Sequence, residues 1–205
     1  MDKTFQAFAA AQRLLDAVEC AGYNLFSYRD IDSIISYGQT YFPSFMHCDW
    51  GASRLVIWDD EYDFVIKVAI DKKSEKYNQH EVEVYAAAEK EGLQNNFGWC
   101  KCFIEPEGDE PGIYVMEFLG DGEDSWDNYV VTEFRKETGD NNSEIDVYDM
   151  EDEEVIRYFT LSMSEKEAAA FRVFTQMWNV TDLHTGNIRH CGNRFVFCDY
   201  AGWNW

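Results

Sequence analysis

The chain is poor in positive charge. Its 205 residues carry 17 Lys and Arg against 39 Asp and Glu, a formal charge of -22, with an isoelectric point near 4.3. Phosphate polyanions are bound through clusters of Lys and Arg, so this balance argues against direct nucleic-acid binding. It suits instead attraction of basic proteins, solubility, or imitation of DNA charge toward a DNA-binding protein. Long apolar runs are also missing. None approaches the roughly 20 residues that span a bilayer, and residues 1 to 19 mix charges into an amphipathic pattern unlike a secretory segment. The six cysteines, Cys20, Cys48, Cys100, Cys102, Cys191 and Cys198, include no C-x-x-C pair, and a reduced, cytoplasmic setting is expected. Of the four histidines, His184 and His190 lie near Cys191. That local cluster lacks the paired, repeated spacings of structural zinc. Internal repeats and low-complexity tracts are absent. What is present is 46% apolar and 17% aromatic residues, enough for one domain or a compact two-lobed one.

Local patterning divides the chain into three parts: a helical segment over 1–40, a sheet-and-helix region over 41–119, and a final region over 120–205. Phe5, Phe8, Ala9, Leu14, Leu15 and Val18 form a helical stripe ending near Gly22, and Ile31, Ile34 and Ile35 mark a second, short helix. Arg54 to Trp58 and Tyr62 to Ile70 read as a hairpin. Val82, Tyr85, Ala86, Ala88 and Glu89 return to helical spacing before Gly92. Two further apolar runs, 99–104 and 113–119, flank a turn rich in Pro and Gly. An acidic stretch over 120–160 reads as a solvated insertion or helix surface, or alternatively as a partner-binding face. Ser164 and Glu167 have the form of a capping box opening a helix through Phe171, Phe174 and Trp178.

Chemistry is concentrated in a few of these residues. Lys67 lies in the apolar run Val65-Ile66-Lys67-Val68, where an unpaired ammonium is costly and an anionic partner is expected. Glu81 is the first candidate, because it can share an inward helix face with Tyr85 one turn later; Glu83 is the alternative. Near the end of the chain come Asp182, Asn187 five residues on, and Asp199 twelve residues after that. Cys191-Gly192-Asn193 supplies a turn for a hairpin that would bring Asp199 back beside Asn187. Phosphoryl transfer needs a cation on the phosphates, oxygen ligands for magnesium and a carboxylate near the attacking hydroxyl. Lys67, the pair Asn187 and Asp199, and Asp182 are candidates for these three roles in turn.

In these motifs the chain resembles the protein-kinase-like superfamily, and within it the small serine/threonine protein kinases of bacteriophages. The resemblance spans roughly 45–202 and is densest at 65–68, 80–85, 114–119 and 178–201. It implies an α+β, two-lobed fold, with a small antiparallel-sheet N-lobe and a reduced, mainly helical C-lobe. It implies ATP and Mg²⁺ as cofactors, Lys67 and Glu81 as the strand-lysine and helix-glutamate pair, and Asp182 as the catalytic-loop aspartate. Asn187 and Asp199 match the metal ligands. Met116, Glu117 and Leu119 resemble the hinge that holds adenine. The glycine-rich loop would fall on Met46 to Gly51, where Gly51 alone matches and the bulky neighbours predict weak nucleotide affinity. Val180-Thr181 stands where His-Arg is usual, which argues against control by activation-loop phosphorylation. Six residues follow Asp199. The resemblance therefore assigns the remaining C-lobe packing to the acidic insertion and N-terminal helices, or to a second subunit, with the Trp203-Asn204-Trp205 ending suited to burial.

Two functions follow as expectations. One is an ATP-dependent kinase acting on Ser or Thr of a host protein, in the host cytoplasm if phage-encoded. The other is a non-catalytic acidic protein that blocks a basic or DNA-binding partner. A homodimer is a further expected assembly; no membrane partner is expected.

Overall fold

A computed structural model describes residues 2–120, 150–191 and 194–200. Most of the acidic stretch, the Gly192-Asn193 turn and the Trp203-Asn204-Trp205 ending lie outside the described residues. The chain divides into two compact units, Met1–Glu83 with Trp99–Phe118, and Val84–Gly98 with Leu119–Trp205. The class is α+β, as expected.

The first unit is built on a five-stranded antiparallel sheet. Its strands are β1 (Met46–Trp50), β2 (Arg54–Asp59), β3 (Phe64–Ala69), β4 (Cys100–Ile104) and β5 (Ile113–Glu117), in the order β1-β2-β3-β5-β4. All six residues of β3 are buried, as a central strand covered on both faces requires. One face packs under α1 (Lys3–Cys20), through the buried Ala7, Ala10, Ala11, Leu14 and Val18. This face is rotated from the stripe read in the sequence, and Phe5 is 64% exposed. The alanines let the helix backbone approach the sheet closely, while Phe8 stays at the margin, its ring centroid 5.0 Å from that of Phe103. Helix α2 (Tyr28–Tyr41) places Ile31 and Ile34 inside and lies beside β1.

The Met46–Trp50 segment is a strand and not a glycine-rich loop. Met46 and Cys48 are buried and alternate with His47 and Asp49, the period of a half-buried strand. What joins β1 to β2 is a short turn closed by the Gly51 N–H donating to the Arg54 carbonyl at 3.0 Å.

Helix α3 (Glu75–Glu91) follows β3 and ends at Gly92, whose φ of 75° suits a residue without a Cβ. In the second unit, α4 (Asp152–Phe159) and α5 (Glu165–Met177) both begin with capping boxes, Glu151 with Glu154 and Ser164 with Glu167. The described end of the acidic stretch is thus a helix start. Its acids Asp152, Glu153 and Glu154 lie in the first turn of α4, where the helix dipole favours negative charge. Arg172 on α5 ties to Asp152 at 2.8 Å. A short hairpin of β6 (Ile188–Cys191) and β7 (Arg194–Phe197) completes the unit. Its core is aromatic: the Phe97 ring lies 5.4, 5.7, 6.1 and 4.9 Å from those of Phe171, Phe174, Phe197 and Tyr200. Among the described residues no helix is long and apolar enough to cross a membrane.

One buried carboxylate of the first unit is held under strain of charge. Glu75, in the first turn of α3, is 8% exposed, and a Cβ at Gly112 would come within 2.9 Å of its Oε1. Burial raises its pKa, with repulsion from Glu105 adding to the effect; the Tyr114 hydroxyl and the Gly112 N–H offset it in part although neither makes a bond of good geometry.

Two predictions follow from this packing. Truncating Phe97 to Ala should cost about 3–5 kcal/mol in urea unfolding, whereas Met177→Ala, at a position 70% exposed, should stay within about 0.5 kcal/mol of the parent. Because the folded pKa of Glu75 is raised, its contribution to stability is complete below the unfolded pKa and is lost as pH rises through the folded value. Glu75→Gln should therefore melt above the parent near neutral pH and match it in acid; a gap that instead widens on acidification contradicts this account.

Candidate functional site

Each unit gathers one group of the residues singled out by sequence. In the first, strand register makes the arrangement. Lys67 on β3 faces Val56 on β2 and Tyr114 on β5, and Arg54 on β2 faces Ala69. Residues two apart share a sheet face, so Arg54 and Lys67 stand on the same side, two positions apart along the ladder. Helix α3 covers that side with Glu81. The Lys67 Nζ donates to Glu81 Oε1 at 3.2 Å and Oε2 at 3.1 Å, and Arg54 Nη1 donates to Oε1 at 2.7 Å. All three side chains are buried, at 5%, 7% and 1% exposure for Lys67, Arg54 and Glu81. Tyr85 is buried one turn beyond Glu81, whereas the alternative partner Glu83 is exposed.

Arg54 is the member that sequence reasoning missed. Its signal was an Arg directly ahead of the apolar run Leu55-Val56-Ile57, but its partner follows only from the register between β2 and β3. Cys100, on the same face, stays a neutral thiol: burial raises its pKa, the Glu81 carboxylate raises it further, and Lys67 and Arg54 offset this in part.

The candidate base-binding residues occupy different settings. Met116 is 2% exposed in the middle of β5, between Val65 and Cys100. The Glu117 side chain pairs with Lys3 at 2.8 Å, and its backbone N–H donates to Trp99 at 2.8 Å. Leu119 begins the part of the chain assigned to the second unit. Gly51 is exposed in the β1–β2 turn, with open space where a Cβ would stand.

In the second unit, the loop after α5 is anchored by apolar residues around its polar ones. Asn179, at φ 49°, turns the chain out of the helix, and Val180 and Leu183 are buried on either side of Asp182. Asn187 Nδ2 donates to the Asp182 carbonyl at 3.1 Å, and its backbone N–H donates to His184 at 2.9 Å. The Cys198 N–H donates to the Asn187 carbonyl at 2.9 Å, so the β6–β7 hairpin returns the chain to Asn187 one residue before Asp199. Tyr200, fully buried against Phe97, fixes the other side of Asp199. The Arg189 guanidinium braces the same loop, donating to the carbonyls of Gly186 and Ile188.

His184 adds a contact the motif did not contain. Its Nδ1 accepts from the Gly186 N–H at 3.1 Å, which leaves Nε2 to carry the proton of the neutral ring. Nε2 lies 3.5 Å from Asp182 Oδ1. Of the cluster His184, His190 and Cys191, the His184 side chain alone is described. Among the described residues no group of three or more His, Cys, Asp or Glu could hold a metal ion. The available donors of Asn187 and Asp199 are hard oxygens, the Asn187 amide nitrogen being turned to Asp182. That set fits Mg²⁺ shared with phosphate oxygens, an ion that takes one or two protein carboxylates and little else from the chain.

No family model matches the chain, and no curated protein sequence matches it. A crystal structure from Haemophilus somnus, described as that of a candidate fructosamine-3-kinase, aligns over 94% of this chain and 74% of its own, with a TM-score of 0.35 and 7% identity.

Proposed function

We propose that the protein is an ATP- and Mg²⁺-dependent phosphotransferase. The observation that carries this reading is the buried ion pair of Lys67 and Glu81 at 3.1 Å, formed between a central strand and the helix that follows it. A kinase strand-lysine and helix-glutamate have this relation, and the glutamate holds the ammonium where it meets nucleotide phosphates. A buried pair of this kind contributes little to stability compared with apolar residues of the same volume, so a chemical role accounts for it better than a structural one.

In this reading Lys67 binds phosphate oxygens and Glu81 orients Lys67. Asp182 orients the acceptor hydroxyl and takes its proton, with the His184 Nε2 3.5 Å from its Oδ1. Asn187 and Asp199 would hold magnesium, whose charge neutralises the phosphates when bound. The Met116–Leu119 segment is assigned to the base. The acceptor proposed is a Ser or Thr hydroxyl of a protein, on the resemblance of the Asp182 to Asp199 motif to those of small bacteriophage kinases.

Thermal-shift titration with ATP and Mg²⁺ tests the site before any acceptor is known. The parent should rise by an increment that depends on magnesium, and Asp199→Ala should lose it. Transfer of labelled phosphate from ATP, to itself or to a lysate protein, should fall at least about a hundredfold in Asp182→Asn, the scale of a lost general base. Equal labelling by parent and variant would refute the assignment.

A further inference from the structure

We infer that Arg54 is a positioning residue that holds Glu81, and with it the start of α3, in the active arrangement independently of Lys67. The inference rests on the proposed phosphotransferase reading and extends it to a residue outside the lysine–glutamate motif.

The geometry separates the two cations. Arg54 Nη1 reaches Glu81 Oε1 at 2.7 Å, while Lys67 spans both carboxylate oxygens at 3.1 and 3.2 Å. Both are charge-assisted bonds, so Glu81 keeps a strong ionic partner when Lys67 is drawn away. A guanidinium also presents a planar, pre-organised fork of donors matched to a carboxylate, whereas an ammonium is a point charge on a flexible stem. Arg54 is fixed at the end of the β1–β2 hairpin, its carbonyl accepting from Gly51 and its strand paired with β3 from Arg54 to Ile57. It belongs to the rigid sheet, and it grips the helix.

This has a consequence for an ammonium that must serve two anions. Where lysine alone holds the glutamate, drawing the ammonium toward phosphate weakens the hold on a buried carboxylate, and losing one partner of a buried pair is costly. With Arg54 on Oε1, Glu81 keeps a strong cationic partner while Lys67 turns to phosphate. The helix need not be brought in by a separate activating event. The pair is then permanently assembled, in keeping with Val180-Thr181 at the position where kinases under activation-loop control have His-Arg.

Amide hydrogen exchange over residues 75 to 83 tests the inference without any ligand, with α5 as the internal reference. Lys67→Met should leave exchange there close to the parent's. Arg54→Met, alone or combined with Lys67→Met, should speed it about tenfold or more relative to α5, and Arg54→Lys should recover part of the protection. Exchange that rises as much in Lys67→Met as in Arg54→Met, or that stays unchanged in Arg54→Met, overturns the inference. If Arg54→Met does not fold, the Lys67→Met protein still decides it: protection kept there supports Arg54 as the group that holds Glu81, and protection lost there counts against it. A second measurement compares nucleotides. Arg54→Met should weaken ATP by about tenfold, the scale of one charged hydrogen bond, with adenosine unchanged, and the effect should vanish in a Glu81→Gln background. Equal losses for ATP and adenosine, or an undiminished effect in Glu81→Gln, would show that Arg54 does not act through Glu81. A parent that binds no ATP refutes the phosphotransferase reading itself, while the exchange measurements still judge Arg54.

Discussion

A single carboxylate, Glu81, organises the first unit. It is fully buried, and a lone buried carboxylate would protonate or draw in a cation. Two cations from adjacent strands meet it. Their stems run through an otherwise apolar sheet face, so the ladder register of β2 and β3, the placement of α3 and the direction of Lys67 are all tied to one anion. Apolar residues could fill the same volume with no loss of stability, and in many proteins with a gain. The arrangement defines where a charge points, which an apolar core cannot do.

The second unit solves a different problem with different material. Its polar residues lie on a loop and a two-stranded hairpin, elements too small to be stable alone. Apolar anchors hold them: Val180 and Leu183 around Asp182, Phe197 and Tyr200 around Asp199. Phe97 gathers Phe197 and Tyr200 with Phe171 of α5, and the Gly98 N–H bonds to the Phe197 carbonyl at 2.7 Å. The Asn187 side-chain bond to the Asp182 carbonyl and the Cys198 N–H bond to the Asn187 carbonyl then set the spacing of Asp182, Asn187 and Asp199, with the aromatic cluster anchoring the Asp199 end through Phe197 and Tyr200.

This contrast explains what was legible in the sequence. A lysine inside a β-branched run advertises a buried anion nearby, and one helical turn between Glu81 and Tyr85 identified the face, because both signals are local. The Asn187–Asp199 hairpin was legible for the same reason. Arg54 was not: its role depends on register between two strands and on the helix covering them, a non-local fact. The β1 strand was mistaken for a loop because the resemblance placed a phosphate loop there, although Met46 and Cys48 alternate with polar residues as strand residues do. On α1 the bulky Phe5 outweighed the alanines in the apolar pattern. Helix-to-sheet packing reversed that order, since small side chains permit the closer approach.

The β1–β2 connection also bears on how phosphate would be handled. Glycine-rich loops bind phosphate with backbone N–H groups left free by their conformation. Here the Gly51 N–H is already spent closing the hairpin on Arg54, and the strand leading to it carries Asp49 beside Trp50. Under the proposed function, backbone amides of that turn would contribute less than those of a glycine-rich loop, and neutralising phosphate would fall to side chains and to magnesium. A site of that kind depends heavily on one ammonium being correctly aimed, because no cradle of amides compensates for a misplaced one. The same hairpin that gives up the amides delivers Arg54 to Glu81. One tight turn between paired strands thus has two results: it closes the Gly51 amide on the Arg54 carbonyl and sets Arg54 at the start of β2, from which its guanidinium reaches Glu81.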